Sequence, residues 1–254
     1  MSNLEQNDLI EIEKKYLISD ITAKKIIDDG NLKCVKNISQ IYLFQENSNV
    51  QYNLDENHWE ITLKHNFESE KFIVPEVKHP NEAQEIFKDF RDTNLLYKKC
   101  AARIRITDGL ALFTYKEPNP DGAGDFEFEF SINDLVQGSE LFQKFIENDF
   151  HKIKKERFVV EKDGLDFEID FFKDVDLSKV KKDLDIESLG SENLCLLEIE
   201  FKNEKDFDAH KLNYPSIDVT NKKAFKNVVM SYNLAEDRKK LDKKTNKFKK
   251  KFNL

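Results

Sequence analysis

Six short stretches of the chain carry like charges two residues apart: Glu11/Glu13, Arg103/Arg105, Glu127/Glu129, Lys155/Arg157, Glu168/Asp170 and Glu198/Glu200. Residues i and i+2 of a strand point to the same side, so each pair occupies one face. Ile12, Ile104, Phe128, Phe167, Ile169 and Ile199 fall on the opposite faces and are apolar. A single strand of this kind is the ordinary solvated side of a sheet. Six of them differ, because like charges side by side repel unless something neutralises them. With Lys15 and Lys116 added, the acidic and basic pairs can neutralise one another across a lumen or be neutralised by ligands. Clustered carboxylates suit Mg²⁺ or Mn²⁺, hard ions that take oxygen ligands and keep some water. Arg and Lys suit phosphate, Arg through a bidentate fork and Lys as a point charge. Together the two sets predict a site for a metal and a polyphosphate.

The elements that must position these residues read mainly as antiparallel strands. Apolar and polar residues alternate over 11–18, 100–107, 110–116, 125–131, 154–161, 165–172 and 195–201. Helices are expected over 20–29 after Ser19, 81–93 after Pro80, 131–150 opening at Ser131, and 221–241. The class is α+β, dominated by sheet. Asp108-Gly109 suits a two-residue type I′ hairpin, whose central residues both need positive φ. Pairing across it sets Arg105 opposite Leu112 and Arg103 opposite Thr114, with Lys116 on the arginines' face. A second such turn at Asp163-Gly164 sets Arg157 opposite Asp170, Val159 opposite Glu168 and Lys155 opposite Phe172. A three-residue loop over 162–164 would instead put the carboxylates opposite Glu156 and Phe158.

The chain has 254 residues, 41 Lys+Arg and 49 Asp+Glu, for a net charge of −8. Its 39% hydrophobic content is enough to build a core, which argues against disorder of the whole. Seven glycines and five prolines leave no linker composition between two halves, so a single domain over 1–233 is expected, followed by a basic tail or helix end over 234–254. That tail makes an acidic body the more negative, and an acidic body repels nucleic acid; the like-charge run reads best as an interaction-neutral terminus. No long apolar run and no apolar leader core is present, so neither a membrane partner nor export is expected. Cys34, Cys100 and Cys195 are odd in number and widely spaced, which suggests neither disulfides nor zinc. The expected compartment is the reducing cytoplasm.

These motifs also resemble, in order, those of the triphosphate tunnel metalloenzymes, the CYTH superfamily. Glu11-Ile-Glu13-Lys-Lys15 resembles the ExExK signature, Gln40-Ile-Tyr42-Leu43 the QxYL strand, Arg103-Ile-Arg105 the RxR strand and Phe113-Thr-Tyr-Lys116 the TYK strand. Glu127-Phe-Glu129, Lys155-Glu-Arg157, Glu168-Ile-Asp170 and Glu198-Ile-Glu200 resemble the ExE, KxR, EID and closing ExE segments. Asp218-Val-Thr220 with Phe225-Lys-Asn227 resembles the (E/D)VT…(Y/F)xN helix start. The resemblance implies a closed eight-stranded antiparallel β tunnel with a charged lumen, braced outside by helices. It also implies that Lys15, Arg103, Arg105, Lys116, Lys155 and Arg157 hold a triphosphate. Glu11, Glu13, Glu168, Asp170, Glu198 and Glu200 would then hold Mg²⁺ or Mn²⁺, with Glu127 and Glu129 supporting. Glu11, as the group orienting water, and Lys116 are the catalytic candidates.

The chain departs from compact members by insertions at about 44–98 and 173–193, and Asp125-Phe126 stand where an arginine often precedes the ExE strand. Trp59 is a candidate for stacking on a ring, with burial as its expected fate. His58, His65, His79, His151 and His210 show no metal-ligand spacing, and Asp121-Gly-Ala-Gly124 lacks the GK[ST] of a P-loop. The expected function is metal-dependent hydrolysis of inorganic tripolyphosphate or a small organic triphosphate. The alternatives are a class IV adenylyl cyclase, a thiamine triphosphatase, an RNA 5′-triphosphatase and a non-catalytic polyphosphate-binding module.

Overall fold

The computed structural model describes residues 10–44, 46–53, 56, 58–74, 101–118, 124–149, 151–173, 175 and 194–252. The helix expected at 81–93, His79, Cys100 and most of the 173–193 insertion lie outside the described residues. The fold is α+β and mostly antiparallel sheet. Its strands are β1 (Ile10–Ile18), β2 (Asn31–Tyr42), β3 (Ser48–Asn53), β4 (His58–His65), β5 (Glu68–Val74), β6 (Ala101–Thr107), β7 (Leu110–Pro118), β8 (Asp125–Ser131), β9 (Lys152–Lys162), β10 (Leu165–Phe172), β11 (Cys195–Phe201) and β12 (Ile217–Asp218). The helices are α1 (Asp20–Asp29), α2 (Asn133–Val136), α3 (Glu140–Asn148), α4 (Glu204–Ala209) and α5 (Asn227–Phe252).

Both hairpins have the register that the Asp-Gly turns dictate. Asp108, Gly109, Asp163 and Gly164 all have positive φ, as type I′ turns require. Arg105 faces Leu112 and Arg103 faces Thr114, while Arg157 faces Asp170 and Lys155 faces Phe172. The main sheet runs β11-β10-β9-β2-β6-β7-β8-β1-β12, with a further pairing of β11 to β1.

The expectation of a closed eight-stranded tunnel needs correction. The main sheet has nine strands, a second sheet of β3-β4-β5 stands apart, and the pairing is not laced evenly around a cylinder. β1 pairs with β11 along Ile12–Ile18, but divides its other edge. Only Ile10 and Glu11 meet β8, and Tyr16 and Leu17 meet β12 instead. The cause is the segment at β12, which is also anchored by the Lys15 N–H donating to Thr220 Oγ1 at 3.0 Å and the Val219 N–H donating to the Lys15 carbonyl at 2.9 Å. It takes hydrogen-bonding groups that β8 would otherwise use.

The apolar faces turn outward into two clusters. Ile104, Phe113, Tyr115 and Phe128 pack with Ile61 and Leu63 of β4 and with Phe142 and Phe145 of α3. Trp59 is fully buried there, 5.5 Å from Phe113 and 4.9 Å from Tyr115 between ring centroids. It is therefore a core residue and not a stacking platform; the described part of the 44–98 insertion is an outer brace. On the other side, Ile12, Tyr16, Ile169, Leu197 and Ile199 pack with Ala23 and Ile26 of α1. Each large apolar side chain buried this way contributes about 1.5–3 kcal/mol.

Two helices differ from expectation. The 131–150 segment breaks at Gly138, whose φ is +76°, and restarts with Ser139 as cap of α3, accepting from the Phe142 N–H. The helix expected at 221–241 begins only at Asn227, after a 3₁₀ turn over Lys223–Phe225, and continues to Phe252 through the basic segment. Among the described residues, no helix is long and apolar enough to cross a membrane.

Candidate functional site

The charged faces of seven strands converge on one cavity of about 290 Å³. β1 supplies Glu11, Glu13 and Lys15; β6 supplies Arg103 and Arg105; β7 supplies Lys116; β8 supplies Glu127 and Glu129. β9 supplies Lys155 and Arg157, β10 supplies Glu168, and β11 supplies Glu198 and Glu200. Thus every candidate from the sequence lines this space except Asp170. That residue is fully buried and differs from its expected place among metal ligands for a physical reason. Its carboxylate accepts from Lys155 Nζ at 2.5 Å, Arg157 Nε at 2.7 Å and Arg157 Nη2 at 2.6 Å. Asp170 holds two cations beneath the cavity wall.

Two residues that the chemical reading did not single out also line the cavity: Gln40 of β2 and Asn227, the first residue of α5. Each sits in one of the segments quoted for the resemblance, and inward parity on β2 would have flagged Gln40, a polar residue at an otherwise apolar strand end.

Alternation sets the depth of the site. Moving along each inward face away from the charges, Lys15 is followed by Leu17, Gln40 by Tyr42, Lys155 by Ile153, Asp170 by Phe172 and Glu198 by Leu196. These apolar residues join Phe225 and Met230 in a third core cluster, and α5 packs against β2 and β9. One end of the lumen is therefore filled. At the other end lie Glu11 and Glu168, which are partly exposed, and Glu129 and Glu200, which are exposed.

Ion pairs tie most of the wall together. Lys15 contacts Glu198 at 2.7 Å and Glu13 at 3.5 Å. Arg103 contacts Glu127 at 2.8 Å, Arg105 contacts Glu129 at 2.9 Å, and Lys116 contacts both Glu127 at 2.9 Å and Glu11. Arg157 reaches Glu168 as well as Asp170, and Glu198 at 2.6 Å.

These contacts separate the carboxylates into two groups. Burial pushes Glu198 upward, but Lys15, Lys155 and Arg157 outweigh it and hold Glu198 well below the usual carboxylate value. Glu127 is likewise lowered, because Lys116 and Arg103 outweigh its burial. Glu11, by contrast, is raised by burial, to which Glu13 and Glu127 add against the pull of Lys116. Glu200 is raised by burial and then by neighbouring Glu168, and Glu168 by burial, with Arg157 opposing. The acidic side of the cavity thus holds more negative charge than its cations offset. Lys155 moves the other way from the remaining lysines of the cavity, lowered by burial and by Arg157 beside it.

A pH dependence follows. Glu127 and Glu198 have folded values below the usual 4.5, so their stabilising contribution is present above 4.5 and is lost as pH falls through those values. Glu11, Glu168 and Glu200 have raised folded values, so their contribution is complete below 4.5 and is lost as pH climbs through them. The contribution of the site to stability should therefore peak near the ordinary carboxylate value in metal-free protein. Thermal midpoints from acid to neutral pH test this, and 10 mM-scale Mg²⁺, roughly the order needed for weak carboxylate sites, should flatten the neutral-side decline. A decline unaffected by Mg²⁺ would place its origin elsewhere in the molecule.

Neither a family model nor a curated protein matches the chain. Among solved structures it is similar to the inorganic triphosphatase NE1496, at 18% identity over 87% of this chain and 93% of that chain, with a TM-score of 0.41. It is similar to the PH1819 protein from Pyrococcus horikoshii OT3 at 17% identity, 78% and 82% coverage and a TM-score of 0.41. HpAC1 from Hippeastrum, named as an adenylyl cyclase and described with a dominant triphosphatase activity, is similar at 12% identity, 78% and 83% coverage and a TM-score of 0.37. Likenesses this distant carry no argument about the chemistry of this chain, which rests on its own side chains.

Proposed function

We propose that the protein is a metal-dependent hydrolase of inorganic tripolyphosphate or a small organic triphosphate, of the CYTH kind. One observation carries the reading: six cations and seven carboxylates from seven strands line a single cavity. A triphosphate carries several negative charges, and cations on more than one wall can engage the non-bridging oxygens of successive phosphates. Lys15, Arg103 and Lys155 would meet the phosphate nearest the filled end. Arg105, Lys116 and Arg157 would meet those nearer the mouth. Their present carboxylate partners keep these long side chains in place until phosphate oxygens displace them.

The donor set fits a divalent cation. Glu11, Glu13, Glu168 and Glu200 are hard oxygen donors on the side of the cavity where negative charge is in excess. Among the described residues, no three acidic, His or Cys side chains are gathered into a ready-made cage. Mg²⁺ or Mn²⁺ would be held by one or two of these carboxylates, with phosphate oxygens and water completing the set. When bound, the metal would polarise phosphoryl oxygens and offset charge on the leaving group. Lys116, held by Glu11 and Glu127, would stabilise the departing phosphate on the mouth side.

The test is a substrate panel. Tripolyphosphate, ATP and thiamine triphosphate are each incubated with Mg²⁺ and with Mn²⁺, and both phosphate and cyclic AMP are measured. Phosphate release without cyclic AMP is the expected result. Cyclic AMP with pyrophosphate from ATP would transfer the reading to a cyclase, and silence on all three substrates would end it.

A further inference from the structure

The blind end of the cavity imposes a direction on the reaction. Phosphoryl transfer places the attacking and leaving oxygens roughly in line across the phosphorus. A diphosphate leaving group needs an exit, and Tyr42, Ile153, Phe225 and Met230 fill the end beyond Gln40 and Lys155. The leaving group must then point to the mouth, and the attacking water must stand on the blind side of the terminal phosphate. A water held for attack has to donate its hydrogen bonds to acceptors located there.

The charged groups at that end cannot serve. Lys15, Arg103 and Lys155 only donate. Both oxygens of Asp170 already accept from Lys155 or Arg157. Both oxygens of Glu198 are engaged as well, one by Lys15 and the other by Arg157. The Tyr42 hydroxyl is engaged with Arg103, and beside it stands a pair of neutral amides. Gln40 is only 1% exposed and lines the cavity, and its Oε1 has no hydrogen-bond partner among the described residues. Asn227 lines the same cavity from the start of α5, and its buried Oδ1 also has no partner among them. Buried amide oxygens are ordinarily satisfied, so two in one small charged space call for a donor from outside the chain. Ionised phosphate has no hydrogen to give. Water does.

We propose that Gln40 and Asn227 hold the nucleophilic water at the blind end of the cavity through their amide oxygens. This rests on the triphosphate hydrolase reading and assigns to it two residues that carry no charge. The water oxygen bonds to the terminal phosphorus while the bond from that phosphorus to the bridging oxygen breaks. The electron pair leaves on the bridging oxygen of the diphosphate. One water proton stays on the former water oxygen and the other passes to a non-bridging oxygen of the transferred phosphoryl group, so the product released is dihydrogen phosphate. The amides orient the water and keep no proton. Glu11, the candidate from sequence for this task, is engaged by Lys116 on the mouth side.

Gln40→Met keeps the length of the side chain and deletes the amide. The expected result is a kcat lower by about 100-fold, the order seen when a positioned hydrogen-bonding group is removed from a reacting centre. KM, and the Kd for tripolyphosphate measured by calorimetry on metal-free protein, should stay within about threefold, because the amide meets water and not phosphate. The melting temperature should not fall, since the amide oxygen has no intramolecular bond to lose. A kcat within about twofold of the parent overturns the proposal, as does a large rise in KM with kcat kept, which would make Gln40 a phosphate ligand. Asn227→Leu gives the same readout should Gln40→Met fail to fold. A parent protein that releases no phosphate from any triphosphate defeats the hydrolase reading itself, before any variant is made.

Discussion

Arg157→Met should cost about 3–5 kcal/mol of stability at neutral pH, the usual penalty for stripping the cation from a buried ionic cluster. Arg157 reaches three carboxylates on two strands: Glu168 and Asp170 of β10 and Glu198 of β11. Without it, Asp170 retains only Lys155 and Glu198 only Lys15, and Glu168 retains no ion pair among the described residues. Methionine fills much of the volume, so the loss isolates charge from packing. Urea unfolding should show a lower midpoint with an unchanged slope, since the surface exposed on unfolding is nearly the same. The deficit should shrink in acid, where protonation removes the uncompensated charge. Arg105→Met supplies the contrast, because its closer partner Glu129 is exposed, its second partner Glu127 stands 3.6 Å away and keeps Arg103 and Lys116, and exposed pairs contribute only about 0–1 kcal/mol. Equal stability of the two variants would show that the buried cluster is not what joins β9, β10 and β11.

The same cluster shows which parts of the site were readable from sequence. The register of β9 on β10 depends on two residues, Asp163 and Gly164, whose positive φ permits a two-residue turn. Local chemistry therefore placed Arg157 opposite Asp170 without any knowledge of the fold. Period-two charge pairing then identified the inward faces. Three features were out of reach because they depend on contacts far apart in the chain. The β12 segment displaces β8 from part of β1 across some two hundred residues of sequence. The filling of one end needs α5 to arrive against β2 and β9, which no local pattern announces. Asp170 looks like any other carboxylate until its depth is known, and at that depth it is paired with Lys155 and Arg157. Gln40 was obscured for the opposite reason: an uncharged residue among charged ones draws no notice until its oxygen is found buried without a partner.

Burial also divides the two residues of the last acidic pair, and that division gives the largest expected effect on activity. Glu198 sits between Lys15 and Arg157, whereas Glu200 has no ion pair among the described residues and lies beside Glu168, with Glu13 opposite it on β1. Glu198→Gln should therefore destabilise the protein, as it removes the charge that two buried cations face. Glu200→Gln should do the reverse. Removing one of several mutually repelling carboxylates should leave the melting temperature at neutral pH unchanged or raise it, and should flatten its decline from acid. Turnover of tripolyphosphate should nevertheless fall by at least about 100-fold, because a carboxylate retained against repulsion in a cavity of this charge is explained by what it binds, and metal-assisted charge stabilisation is worth several kcal/mol. The opposite movement of stability and activity is the decisive feature, since a merely structural carboxylate would lower both. Isothermal titration of Mg²⁺ into Glu200→Gln completes the test. Metal affinity equal to that of the parent, with turnover intact, would remove Glu200 from the metal set and shift that role to Glu11, Glu13 and Glu168.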